Sequence, residues 1–309
     1  MHLPSAKIKN LWNWRFAAQI VFLLLLVIFA MVTWKNLSSN LQRLGITLDF
    51  NFLNSQASFN IREASIAFQS TDTYALALVV GLLNTFKVMA IAIGSATVVG
   101  ISVGVARLSQ NWLLRQIATV YVESLRNIPL LLQLFFWYAA IFLALPPAPG
   151  SIGLWGIASL NNEGVTIPLI QTNLSSEFCA LVIGLSLYSA SFIAEIVRGG
   201  ILAISKGQWE AARALGLKPG KILQLIVFPQ ALRVIIPPLT SQYLNIAKNS
   251  SLAIAVGYED VYAVSSTTFN QTGKPVQIVL LLMATYLTIS LIVSVVMNLL
   301  NRRFQIQER

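Results

Sequence analysis

An all-α membrane protein that crosses the bilayer about six times is the fold class this sequence predicts, and three observations carry the prediction. Composition is the first: of 309 residues, 56% are hydrophobic and only 10% charged, with a mean hydropathy of +0.71. A water-soluble fold of this size would expose far too much apolar surface. The second is a set of six apolar runs, at 17–34, 82–105, 118–145, 178–197, about 238–257 and 277–300, each near the roughly 20 residues a membrane-crossing helix needs. The third is the sorting of the basic residues between the loops these runs define.

The first run follows Lys7, Lys9 and Arg15 as a secretory signal would. It is long for one, however, and "VIFAMVTWKNL" holds no small-x-small cleavage site, so it reads as a retained helix. Residues 36–78 alternate polar and apolar and are rich in Asn, Ser and Thr, as in an external segment lying on the membrane surface. A second external loop, 146–176, opens "PPAPGSIGLWGI", where Pro and Gly exclude continuous helix. A third, about 258–275, holds Glu259, Asp260 and Lys274. With the N-terminus in the cytoplasm, Arg107, Arg115, Arg198, Lys206, Arg213, Lys218, Lys221, Arg233, Arg302 and Arg303 share that side, and only Lys35, Arg43, Arg62 and Lys274 fall on the other. This positive-inside split places both termini in the cytoplasm and accounts for the formal +10 charge without nucleic acid or any other polyanionic partner. The single Cys179 excludes an internal disulfide, and the single His2 sits at the terminus, so neither supports catalysis or metal binding.

One cytoplasmic stretch, "KGQWEAARALGLKPGKILQLIVFPQALR" from Lys206 to Arg233, is charged where the rest is apolar. Ser205 and Gln208 form a capping-box pattern that starts a helix at Lys206. Trp209, Ala212 and Gly216 fall on one face of it, and Glu210 and Arg213 are spaced to pair. Gly216 suits the helix C-terminus and Pro219 the first turn of a second helix, which ends at Pro229. This is either an interfacial connector or a surface of small residues presented to a partner; its length favours the partner.

Within it, Glu210, Ala211, Ala212, Gly216, Ile226, Phe228 and Pro229 match the cytoplasmic loop pattern of ATP-binding-cassette (ABC) importer permeases at every position. "GLLNTFKV" (81–88), "ESLRNIPLLLQLFF" (123–136), "FIAEIVRGGI" (192–201) and "KNSSLA" (248–253) narrow the resemblance to the polar amino acid branch, the histidine, glutamine and general L-amino acid importers. The resemblance spans about 79–303. It implies an N-terminal helix and external segment (1–78), a five-helix type I importer core (79–303) with its coupling loop at about 205–229, and a short tail (304–309). It further implies docking of that loop on separate ABC ATPase subunits, which bind the ATP and magnesium, a second homologous permease, an external substrate-binding protein and an amino acid substrate. "GLKPGKI" lacks the spacer and the Ser or Thr of a phosphate loop, in keeping with no nucleotide or other cofactor on this chain.

Ionisable groups at membrane depth face a protein interior or a water-filled route. Glu123 and Arg126, beside Asn127 and before Pro129, and Glu195 and Arg198 each stand three apart. Each couple either pairs near the cytoplasmic interface or forms an inner gate. Lys248, Asn249, Ser250 and Ser251 break the fifth run, and a broken helix offers backbone groups to an amino acid. Gln133, Tyr188 and Ser191 are further candidates for lining the route. Gly100 and Gly104, with Gly94 two turns earlier, form a small packing face for which the second permease is the expected neighbour. An ion-gradient-driven secondary transporter remains the alternative, although it predicts inverted repeats and no dedicated docking loop. An intramembrane enzyme lacks any catalytic constellation.

Overall fold

Apolar composition without Pro or Gly carries α1 (Ala6–Arg43) as one uninterrupted helix of 38 residues. In the computed structural model, which describes residues 6–43, 45, 48–154 and 157–304, it belongs to a first compact unit, Met1–Phe50. Over Phe16–Arg43 its mean hydropathy is 2.7 and its apolar stretch is bare on every side, the condition of a helix solvated by lipid. His2 and the tail 305–309 lie outside the described residues.

The second unit, Asn51–Arg309, holds everything else. Residues 51–73, grouped with the N-terminal helix on sequence, pack within this second unit: Phe52, Ala57 and Ile61 are buried with Tyr74, Ala77 and Val80. Its helices start where short polar side chains take up orphan backbone donors. Thr73 Oγ1 accepts from Leu76 N (3.3 Å) to open α2 (Tyr74–Ala106), and Asn111 Oδ1 from Leu114 N (3.2 Å) to open α3 (Trp112–Asn127). Ser175 Oγ accepts from Phe178 N (3.1 Å) at the head of α5 (Ser176–Leu202).

Between α3 and α5 the chain does not form the single span expected over 118–145. Ile128, preceding Pro129, is forced extended (ψ 127°), and α4 (Leu130–Phe142) leaves at 107° to α3. Gln133 heals the break, its Nε2 donating to the carbonyls of Leu125 (2.9 Å) and Ile128 (3.0 Å). The following loop contains more than turns: β1 (Ile152–Leu154), β2 (Ala158–Asn161), β3 (Gly164–Ile167) and β4 (Thr172–Ser175) form an antiparallel meander. Its register pairs Leu160 with Val165 and Val165 with Leu174.

After α5 come α6 (Lys206–Ala214) and α7 (Pro219–Ala255). The second hairpin helix was expected to stop at Pro229, but α7 runs through it. A proline cannot donate to the preceding turn, and the ladder widens just before it, Phe228 N bonding back to the Leu223 carbonyl, a π-type register that absorbs the missing bond. Residues 258–275, expected as a loop, contain α8 (Val261–Thr272), capped by Asp260 Oδ1 on Ala263 N (2.9 Å) and ended by left-handed Gly273. The last span is α9 (Pro275–Phe304). Among the described residues five helices are long and apolar enough to cross a membrane, six when α3 and α4 count together.

The core of this unit is the seam of α2 against α5, with α7 beside it: Val88, Ala92, Leu185, Ile193, Val197, Ile235 and Ile246 are all buried there. Gly100 and Gly104 serve this seam rather than a second chain. A Cβ on Gly100 would lie 2.6 Å from Ile193 Cβ, and one on Gly104 2.7 Å from the Ala194 carbonyl, while one on Gly94 would meet nothing.

Candidate functional site

The hairpin shows how a charged loop is made rigid beside a membrane core. Ser205 occupies the N-cap position of α6, but its side chain makes no capping bond; the backbone carbonyl of Ser205 accepts from Gln208 N (3.1 Å) instead. Gln208 Oε1 accepts from Gln230 Nε2 (3.3 Å), which ties α6 to α7. The C-terminal expectation holds: Gly216 is left-handed (φ +74°), Gly216 N donates to the Arg213 carbonyl (2.9 Å) and Leu217 N to that of Ala212 (3.2 Å), the paired bonds of a Schellman closure.

Trp209, Ala212, Leu217 and Ile222 pack into the main core. The face grouping of Trp209, Ala212 and Gly216 therefore splits, with the first two inward and Gly216 open. Glu210, Ala211, Leu215 and Gly216 point out, and Leu215 is 80% exposed. Glu210 and Arg213 do not pair with each other. Ile226 is half-buried, Phe228 likewise, and Pro229 is exposed at the base.

At the hairpin end of the bundle the expected ion pairs are rearranged around a residue that sequence reasoning used only for topology. Arg107, at the C-terminus of α2, donates Nη1 to Glu195 Oε2 (2.5 Å) and lies 3.5 Å from Glu123 Oε1, with only 11% of its side chain exposed. Arg198 completes the row on Glu195 Oε1 (2.5 Å). Glu123 thus pairs across helices and not with Arg126, whose guanidinium sits 5.1 Å over the Phe192 ring. Asn127 turns its amide back to the Glu123 carbonyl (2.6 Å). Glu195–Arg198 pair as expected. The signal for Arg107 was its place at the end of a span: a long side chain there can reach carboxylates on two neighbouring helices.

The remaining candidates are dispersed. Ser191 is buried with its hydroxyl on the Tyr188 carbonyl (2.6 Å), and the Tyr188 ring packs on Phe192 at 5.0 Å. Gln133 is a helix-break fastener, with its Oε1 buried and unpartnered. At Ser250 the helix does change, from α to 3-10. Ser250 and Ser251 hydroxyls bond the carbonyls of Ala247 and Lys248 (2.8 Å each), while Lys248 is exposed and Asn249 half-buried. Of these four, Lys248 and Asn249 keep side chains free of such backbone bonds.

The opposite end of the unit carries a cavity of about 780 Å³ lined by Arg62, Glu63, Tyr138, Glu163, Glu177 and the β2–β4 strands. Arg62 Nη1 donates to Glu177 Oε1 (2.9 Å), and Lys87 pairs with Glu63. Close by, complete burial pushes the Asp260 carboxyl up to about 7, against the pull of backbone donors at its capping position, and burial raises Glu259 as well.

Residues 96–306 match the family model described as the inner membrane component of binding-protein-dependent transport systems. A general L-amino acid transport system permease protein of Rhizobium johnstonii, AapQ, is 39% identical, the alignment covering 94% of this chain and 92% of that one. An amino-acid ABC transporter permease of Escherichia coli K12 named as putative, YhdX, is 38% identical over 93% of both. Among solved structures, a crystal structure of an amino acid ABC transporter with histidines superposes with a TM-score of 0.59 at 25% identity, covering 74% of this chain and 95% of that one. These relatives favour the ATP-driven reading over the ion-gradient one. The spans and the family match agree, and the chain belongs to the family of inner-membrane components of binding-protein-dependent transport systems.

Proposed function

We propose that this chain is the transmembrane permease subunit of an ABC importer that carries amino acids across the inner membrane. The observation that carries the reading is the hairpin: a rigid, core-anchored α6 that holds Glu210, Ala211, Gly216 and a largely bare Leu215 out of the bundle. An apolar side chain held in water on a fixed scaffold is what a partner's groove recognises. In this reading separate ATPase subunits receive the hairpin and bind the ATP and magnesium, and this chain hydrolyses nothing. A second homologous permease completes the pathway, a substrate-binding protein delivers cargo at the sheet end, and both termini face the cytoplasm. The relatives' names, a general L-amino acid permease and an amino acid ABC transporter, support an amino acid as cargo.

Arg107, Glu123, Glu195 and Arg198 then form the inner gate. Cross-helix ion pairs of this kind hold helix ends together until ATP-driven movement separates them. The change of helix type at Ser250 marks the proposed substrate contact, through the Lys248 and Asn249 side chains.

The test is uptake by proteoliposomes holding this chain with its ATPase, second permease and binding protein. Labelled amino acids should accumulate only with internal ATP; uptake driven by an ion gradient without ATP defeats the proposal. In the same vesicles Lys248→Ala and Asn249→Ala should each raise the half-saturating substrate concentration or cut the rate about tenfold, as loss of one polar contact does, with ATPase association intact. Unchanged kinetics in both variants would remove this site from the route.

A further inference from the structure

The "GLLNTFKV" stretch of α2 has no part in the hairpin or the gate, yet three segments distant in sequence converge on it. Asn84 is fully buried; its Nδ2 donates to the Glu63 carbonyl (2.8 Å) and the Glu259 carbonyl (2.9 Å), and its Oδ1 accepts from Ser65 Oγ (2.8 Å). Thr85 Oγ1 accepts from Val261 N (3.0 Å). Gly81 leaves no room for a side chain: a Cβ there would lie 3.0 Å from Val261 Cα and 3.1 Å from the Asp260 carbonyl. Lys87 pairs with Glu63 and lies 4.4 Å over the Phe178 ring. The other Glu63 oxygen takes both Ser175 N (3.2 Å) and Ser175 Oγ (2.6 Å), at the junction of β4 and α5. Residues 51–73, the sheet and the loop before α8 are therefore fastened to about two turns of a single helix.

That helix is continuous for 33 residues, about 50 Å. It is wedged against α5 by Gly100 and Gly104 and ends in Arg107, which grips Glu123 and Glu195. A packed helix without a break has no soft point at which to absorb a displacement of its head.

We infer that residues 81–87 act as a bolt through which the sheet-end cap, when engaged by the substrate-binding protein, drives α2 as a rigid rod and so reports its occupancy to the hairpin end. Asn84, Thr85 and Lys87 are positioning residues in this scheme and touch no substrate. The inference rests on the importer reading.

The experiment compares ATPase activity of the full complex in proteoliposomes with and without substrate-loaded binding protein. Lys87→Met keeps an unbranched apolar stem, one atom shorter, and removes the charge, leaving Glu63 without its cation. The stimulation by binding protein should fall about tenfold, within the usual range for coupling between sites, while basal ATPase and complex assembly stay at the wild-type level. Lys87→Arg should restore the stimulation. A Lys87→Met complex stimulated like wild type overturns the bolt, as does a parallel fall of basal and stimulated rates, the mark of a merely structural lysine. Should Lys87→Met fail to assemble, Glu63→Gln/Lys87→Met, which leaves no lone charge, is judged by the same two outcomes. The wild-type arm decides the importer reading separately: no stimulation and no uptake there overturns that reading and the bolt with it.

Discussion

Gly216→Glu is expected to cut ATP-driven uptake about a hundredfold while the chain still reaches the membrane. The local cost of the change is small: a Cβ at Gly216 would meet nothing within 4 Å, and holding a non-glycine residue at φ +74° costs about 1–2 kcal/mol. The functional cost arises outside the chain. The new carboxylate projects from the surface that Leu215 and Ala211 share, where a docked ATPase would have to bury it without a partner, a loss of about 3 kcal/mol at a contact of hot-spot quality. Gly216→Asn provides the control, since asparagine tolerates the left-handed conformation and adds no charge. It should retain most of the uptake. Co-purification with the ATPase, measured beside uptake in vesicles, separates loss of docking from loss of fold; a Gly216→Glu chain that transports like wild type removes the hairpin as the point where energy enters.

Gly104→Val is expected to have the largest effect on the fold itself. The first atom added would lie 2.7 Å from a backbone oxygen, Ala194 O, and 2.9 Å from Val197 Cβ. Neither neighbour can swing aside, because both belong to the α5 helix and its core-facing side chains. Prising α2 from α5 costs about 2–3 kcal/mol by overpacking, which should lower the Tm of the detergent-solubilised protein by about 5–10 °C. Gly94→Val lies on the same helix with open space around it and should leave the Tm unchanged. Equal melting of the two variants would show that the α2–α5 seam is not where the structure places it.

The contrast between these two glycines shows what a pattern can and cannot say. Gly94, Gly100 and Gly104 read from the sequence as one small face awaiting a second chain. The seam takes only two of them and closes within the chain, because α5 supplies Ala190, Ile193 and Ala194 at the matching heights. Gly216 was legible because left-handed closure of a helix is a local matter: the glycine, the preceding turn and Leu217 suffice. The N-cap position of Ser205 was legible, but its side chain makes no capping bond, and the Gln208 side chain is held by Gln230 from a helix distant in sequence. Pro129 announced a break, but the angle of 107° and the fastening of its loose carbonyls by Gln133 depend on how α4 packs back on α5. Arg107 was read for its sign alone, and its two carboxylates come from other helices.

Hydropathy, the sorting of charge and the seven-position loop motif were therefore sufficient for a membrane-spanning fold, the approximate place of every span but the bent one at 118–145, and the kinship with transport permeases. Each of these depends on the environment of a segment or on residues adjacent along the chain. The meander of residues 152–175, the helix within the last loop, the Arg107 row and the bolt at 81–87 were decided only in three dimensions. Their hydrogen bonds and ion pairs form between residues as much as 197 positions apart, as Tyr74 and Gln271 of α8 are, and the energy of such contacts exists only once packing has excluded water and brought the partners within reach.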